Sequence, residues 1–372
     1  MLESGRVVMS AGLVGARVKA QRERLGFNQE AVSRHLGFKD RQTLSAIETG
    51  ERRVTAEELM RFAEVLVAPL DYFTDPYILA GEGGFSWRQS NVAPARLDAY
   101  EAEAGRLIAL HRVLGGTPPV TRRALRLTKA SSYEDAQAAG EAFAAEFALG
   151  ETPALRLAEV MERDLGILVL MVDAERGVSG AACHLPELDA VLINRHEVPG
   201  RRHYDLAHEL FHVLTWETMP PERIEDSERL GRSRVEQLAD NFAAAVLMPS
   251  AALDRFGPWD GGDAHALADR LNAAANALAV TSQALKWRLV AIGALSKAAA
   301  AGIDGARLRN NGRAAAPDDA PPLFSRPFAE QVAAAIGAGR LSARRAARIL
   351  GLPVDDLAEV FAAQGVTFDL GM

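Results

Sequence analysis

One cysteine, Cys183, stands among 372 residues. It has no partner for an internal disulfide, so the fold must rest on its apolar core, and a reducing compartment suits it. Long apolar runs are also missing. Stretches such as Ile167 to Val172 fall far short of the ~20 residues a membrane helix needs, and Met1 to Ser10 carries no signal-peptide h-region. The expected setting is the cytoplasm, with no membrane contact. Positive charge is in deficit as well, with 42 Lys and Arg against 49 Asp and Glu and a net charge of -7. That excludes indiscriminate nucleic-acid binding by the whole molecule and leaves only a local basic surface for it.

What is present is an ordinary globular composition, 48% hydrophobic and 24% charged, on a chain longer than the roughly 250 to 300 residues at which single cores stop growing. Separable modules are expected. The fold class that follows is α+β, mostly α: a helical bundle over 1–80, an α/β domain with a small sheet over 81–252, a helical extension over 253–309, a linker over 310–322 and a small helical module over 323–372. Between Leu13 and Phe73 short helices break at Gly26, Gly37 and Gly50, with Asn28 a good N-cap. Val14, Val18 and Leu25 mark one apolar stripe there, and Leu59, Phe62, Ala63 and Leu66 another. Residues 81–133 read as a polar lead-in, a helix over 95–114 and a loop over 115–120. Helices over 133–149 and 154–165 follow. The β-branched run 166–172 is a buried strand, and 179–183 and 190–194 are two more.

The sharpest motif is His208-Glu209-Leu210-Phe211-His212 within the apolar helix Tyr204 to Leu214. Histidines at i and i+4 share one helix face, so both imidazoles can reach a single zinc ion, and the intervening glutamate is placed to activate water there. On a downstream helix, Glu236 and Asp240 stand one turn apart. A catalytic zinc commonly takes three protein ligands, which makes Glu236 the third ligand and Asp240 an acceptor that orients a ligating histidine. Cys183 lies on a strand shortly before the histidine helix. Such a strand at a cleft edge would bring a thiolate to the metal as a latency switch, whereas the plain reading is a small buried hydrophobe.

The segments 201–212 and 236–249 resemble the ImmA/IrrE-type zinc metallopeptidases over roughly residues 81–252. The resemblance implies His208, His212 and Glu236 as ligands and Glu209 as general base, acting on a helix-turn-helix repressor to release stress, mobile-element or defence genes. Two positions depart from that pattern. Phe211 replaces the usual glycine and narrows the cleft; Leu238 stands where some members carry a second glutamate.

Gln29 to Gly37 followed by Arg41 to Gly50 resembles the helix-turn-helix domain of the XRE (lambda repressor-like) family. In that arrangement the second helix enters the major groove by its N-terminal residues, here Arg41, Gln42, Thr43 and Ser45, with Gln29 and Lys39 at phosphates and Leu44 and Ile47 in the core. Nine basic and five acidic residues between Leu13 and Arg53 leave an excess of four positive charges, the distribution phosphate binding needs. Near the C-terminus, Arg340, Arg344, Arg345 and Arg348 put a basic face on a second helical pair.

Three functions are compatible with these modules. The first is a zinc endopeptidase that cuts a partner protein and binds DNA. The others are a regulator whose peptidase-like domain senses without cutting, and an antitoxin acting through DNA and protein binding. The intact ligand set and Glu209 favour the first. The operator, the scissile bond, the activating signal and the oligomeric state, a homodimer included, are left open by the sequence.

Overall fold

The protein's structure, a computed structural model, describes residues 11–81, 83–115, 122–226, 233–259, 263–314 and 320–368. Most of the loop expected over 115–120 and the middle of the linker expected over 310–322 lie outside these residues. The chain divides into two compact units, one drawn from Met1–Gly84, Ala95–Gly116 and Arg326–Met372, the other from Phe85–Pro94 and Thr117–Ser325.

In the first unit, local capping punctuates the chain into α1 (Ala11–Arg24), α2 (Gln29–His35), α3 (Arg41–Glu48), α4 (Ala56–Val65) and α5 (Leu70–Thr74). Asn28 accepts from the Ala31 N–H at 2.8 Å and Asp40 from the Thr43 N–H at 3.0 Å, while Thr55 and Glu58 form a reciprocal capping box. Each satisfies a donor that a helix start leaves unpaired. Gly37 turns the chain between α2 and α3 at φ +70°, a conformation that a Cβ disfavours. Val18, Leu36, Leu44, Ile47, Phe62 and Phe73 form the core. Leu25 does not continue the α1 stripe: the helix ends at Arg24 and Leu25 is 37% exposed. Arg17 is fully buried beside Val14 on α1, and its guanidinium donates to the carbonyls of Tyr72 at 3.1 Å and Asp75 at 2.8 Å. That anchor ties the chain beyond α5 back onto α1. The long helix α6 (Pro94–Val113) belongs mostly to this unit.

The second unit is built on a five-stranded sheet of β1 (Gly84–Gln89), β2 (Leu168–Val172), β3 (Val178–His184), β4 (Asp189–Asn194) and β5 (Ile224–Asp226) in the order β2-β4-β3-β1-β5. β2 runs parallel to β4, β3 antiparallel to β4, and β1 parallel to β5 with Trp87 opposite Ile224. Its helices are α7 (Tyr133–Glu146), α8 (Leu157–Arg163), α9 (Pro199–Thr215), α10 (Arg234–Leu247), α11 (Ser250–Leu253), α12 (Ala264–Ala277), α13 (Ser282–Ala291), α14 (Lys297–Ala301) and α15 (Gly305–Leu308). Three strands fall where the apolar runs placed them. Of the other two, β1 sits in a segment expected to be a polar lead-in, and β5 was not anticipated. The β1 sequence Gly-Phe-Ser-Trp-Arg-Gln is too polar for the run that marks a covered strand, although Ser86, Arg88 and Gln89 are all buried.

Side-chain alternation along β3 decides the position of Cys183. Ala182, Val191 and Ile193 belong to the core shared with Leu206, Leu210 and Phe211 of α9, so residues 180 and 182 face α9 and Cys183 faces the opposite side of the sheet. β3 is moreover an interior strand, between β4 and β1. The expectation of a cleft-edge thiol beside the metal is thereby corrected: Cys183 is fully buried against Ala190 and packs as a small hydrophobe.

The first residues of the expected linker are anchored rather than exposed spacer. Asn311, in left-handed backbone, accepts from the Ser282 N–H at 2.8 Å and donates to the Val280 carbonyl at 2.8 Å. In the first unit, α16 (Arg326–Gly337), α17 (Ala343–Leu350) and α18 (Leu357–Ala363) bury Phe328, Val332, Ala346 and Phe361. One of the four arginines near them is engaged: Arg345 reaches Asp75 at 3.1 Å and lies over the Tyr77 ring. Among the described residues no helix is long and apolar enough to cross a membrane.

Candidate metal centre

The fixed φ of Pro199 suits a first helical turn, and it opens α9, whose 17 residues are buried on almost every side. Leu206, Leu210 and Leu214 lie in the core, while Asp205, His208 and His212 form a second buried stripe at helical spacing. A buried polar stripe is costly unless its groups are paired. The partner is α10, which begins at the Ser233 cap and presents Glu236 and Asp240 one turn apart.

His208 Nε2 lies 3.0 Å from Glu236 Oε2 and 3.1 Å from His212 Nε2, and His212 Nε2 lies 3.5 Å from Glu236 Oε1. One donor atom from each of these three buried residues falls within 4.8 Å of the others, a grouping that can hold a metal ion. On the far side of the ring, His208 Nδ1 meets Asp240 Oδ1 at 3.1 Å. A carboxylate there accepts from Nδ1–H, fixes the tautomer and leaves the Nε2 lone pair directed at the shared point. Burial alone would raise the Glu236 carboxyl. The hydrogen bonds and charge of His208 and His212 outweigh it and hold the group far below the usual carboxylate range.

Glu209 is buried and directed at the sheet. Gly180 of β3 leaves the space it uses: a Cβ there would stand 3.7 Å from Glu209 Cγ and 3.0 Å from the Leu192 carbonyl oxygen. Phe211 is not a cleft residue, contrary to the narrowing expected from it. It is fully buried in the core, with its ring 5.6 Å from that of Phe242.

Two residues of this centre escaped the sequence reading. Arg88 of β1 is buried with its Nε 3.3 Å from Asp205 Oδ1 and its Nη1 4.0 Å from Asp240 Oδ1. Asp205 sits one turn before His208 on the same stripe, and that i,i+3 spacing was a signal available in the sequence. Burial pushes its carboxyl above the usual range, against the charge of Arg88 and Arg201. Arg88 had no comparable signal, because only the fold brings β1 to the α9–α10 seam.

α10 is held close by α7. A Cβ added to Gly140 of α7 would fall 2.6 Å from the Phe242 carbonyl oxygen and 2.9 Å from the Ala245 Cβ, both on α10. Gly140→Val is therefore expected to push the helices apart and to destabilise the chain by about 1–3 kcal/mol, the usual cost of overpacking. A urea midpoint shift would measure it. Because α10 carries Glu236 and Asp240, metal retention should weaken in parallel.

In the N-terminal bundle the structure brings Arg41 and Gln42 to the exposed start of α3, with Lys39 exposed just before it. Thr43 and Ser45 are half-buried, and the Thr43 N–H and hydroxyl are both engaged by Asp40. Gln29 donates to Glu48 Oε2 at 2.8 Å, and Glu48 is in turn held by Arg22. One of the five acids counted against DNA binding is thus an internal partner and offers little negative charge at the surface.

A buried His-His-Glu set that could hold a metal ion lies on two packed helices against a small sheet, and the same chain carries a capped five-helix bundle. Residues 163–283 match the IrrE N-terminal-like domain and residues 18–73 match the helix-turn-helix family, so the chain joins an N-terminal helix-turn-helix to an IrrE-like peptidase domain. No curated protein and no solved structure matches it.

Proposed function

We propose that the chain is a cytoplasmic zinc-dependent endopeptidase and transcriptional regulator. Its helix-turn-helix takes it to DNA, and its peptidase domain cuts a partner protein, a helix-turn-helix repressor, to switch on stress, defence or mobile-element genes. The convergence of His208, His212 and Glu236 carries this reading. Four ligands at zinc bond lengths of ~2.0–2.1 Å form a tetrahedron with edges of about 3.3–3.4 Å, and the donor separations of 3.0, 3.1 and 3.5 Å are of that size. Three protein donors leave a fourth position for the reaction. Bound there, zinc would act as a Lewis acid toward the scissile carbonyl and would favour ionisation of water. Glu209 then takes the proton from the attacking water and delivers it to the leaving amine, while Asp240 keeps His208 in place.

Purified protein is expected to hold about one zinc per chain, and Glu236→Ala to lose most of it, as read by metal analysis. The substrate reading is tested by incubating the zinc-loaded chain with the repressor encoded nearest its gene and mapping any cut by mass spectrometry. A wild-type chain without zinc, or an uncut repressor, contradicts the proposal.

DNA binding rests on Arg41 and Gln42 at the exposed start of α3. Arg41→Ala should weaken binding to the chain's own promoter region by about 1–3 kcal/mol if the guanidinium reads a base edge, with little change in salt slope. Lys39→Ala should instead lower that slope by about one. Fluorescence anisotropy across a salt series separates the two.

A further inference from the structure

A cavity of about 860 Å³ in the peptidase unit is not lined by His208, Glu209, His212 or Glu236. It lies further along the α9–α10 seam toward the start of α9, where Arg201, Asp205, Asp240 and Ala244 form its wall and α13 closes one side. Its size falls within the 300–1,000 Å³ of small-molecule sites. One part is apolar: Val198, Ala244, Ala284, Leu308 and Trp287, a residue 54% exposed. A half-exposed tryptophan on the rim of a cavity offers a flat surface for a ring or chain.

The charged lining selects the other end of the ligand. Two of the four lining arginines are committed elsewhere: Arg88 to Asp205, and Arg288 to Glu141, Gln137 and the Met248 carbonyl. Arg201 and Arg309 remain. Arg201 is 44% exposed, donates to Ser179 Oγ at 3.1 Å and stands 3.5–3.6 Å from Asp205 and Glu197. Arg309 is exposed. Against them, the Asp240 carboxylate is already turned to His208, which leaves Glu197. The four lining guanidiniums exceed the three lining carboxylates, Glu197, Asp205 and Asp240, by one, and the exposed Arg309 carries that excess, which favours an anion; a guanidinium binds carboxylate or phosphate by paired hydrogen bonds.

We infer that this cavity binds an amphipathic organic anion, a flat apolar body carrying one acidic group, and that its occupancy tightens metal retention through Asp240. The connection is short. Asp240 lines the cavity, contacts His208 Nδ1 at 3.1 Å, and has its backbone carbonyl held by the Tyr204 hydroxyl at 3.0 Å. An anion seated at Arg201 repels the Asp240 carboxylate toward the imidazole, which strengthens the contact that orients His208 at the metal. The coupling rests on the zinc reading above; the cavity and its chemistry do not.

The test uses the full chain and 8-anilinonaphthalene-1-sulfonate, an aromatic sulfonate of this class, followed by its fluorescence with and without zinc. One saturable site is expected, weakened at least about fivefold by Trp287→Ala and by Arg201→Ala, each removing one half of the recognition. Saturating probe should tighten zinc affinity at least about threefold, read by equilibrium competition with a chelator, and zinc should tighten the probe by the same factor, because equilibrium coupling is reciprocal. Asp240→Asn should keep the probe and lose that coupling. No saturable binding, equal affinity in both variants, or zinc affinity indifferent to bound probe would overturn the inference. A chain that binds the probe at these residues but takes up no zinc would remove the peptidase reading and leave the cavity's assignment in place.

Discussion

Glu209→Gln should keep its zinc and cut its substrate at least ~100-fold more slowly, the loss typical when a positioned general base is removed. The geometry separates these two outcomes. His208, His212 and Glu236 supply the convergent donor atoms, and Glu209 is not among them, since its side chain is directed toward Gly180 of β3. An amide of nearly the same size fills the same space, so the fold and the metal content should be unchanged while proton transfer is lost. Metal analysis beside single-turnover cleavage reads both. Cleavage at the wild-type rate would remove Glu209 from the mechanism, and loss of zinc would mean that the side chain supports the ligands instead.

Arg22→Ala is expected to unfold the helix-turn-helix bundle. Arg22 Nε meets Glu48 Oε1 at 2.6 Å and its Nη2 meets Oε2 at 2.9 Å, with Nη1 donating to the Phe27 carbonyl at 2.9 Å. The Glu48 side chain is only 2% exposed. Deleting one member of such a pair strands the other charge in the interior and costs about 3–5 kcal/mol, whereas replacing both with apolar side chains is often neutral. A loss of that size is comparable to the whole stability of many small domains. Thermal denaturation followed by circular dichroism should show an early transition, and promoter binding should disappear. Zinc content should be unaffected, because the metal centre draws on none of these residues. The double replacement Arg22→Met with Glu48→Leu should recover most of the melting temperature.

The candidate metal-binding group was legible where local periodicity encodes it. His208, Glu209 and His212 are tied by one helical turn, and Glu236 with Asp240 by another, so the sequence contains both halves of the site and the fold had only to bring them together. The helix-turn-helix was legible for a related reason: Asn28, Gly37 and Gly50 are local signals of where helices start and stop. Strands that depend on partners far away left weaker traces. β1 is polar in sequence yet buried, since Arg88 finds Asp205 only after folding, and β5 is three residues long. Cys183 was misplaced because its burial could be read but its side of the sheet could not. A shift of one residue in strand register reverses the face of every side chain, and register came only from the pairing of β3 with β4.

The pairing of β1 with β5 also sets a timetable for synthesis. The apolar core of the helix-turn-helix is drawn from Val14 to Phe73, so it can begin to form once those residues clear the ribosome. Trp87 has to wait for Ile224, and His208 for Glu236 and Asp240. At roughly 5–20 residues per second, some 10 to 35 seconds separate the first event from completion of α10. During that interval the nascent chain carries a formed helix-turn-helix while His208 and His212 still lack Glu236.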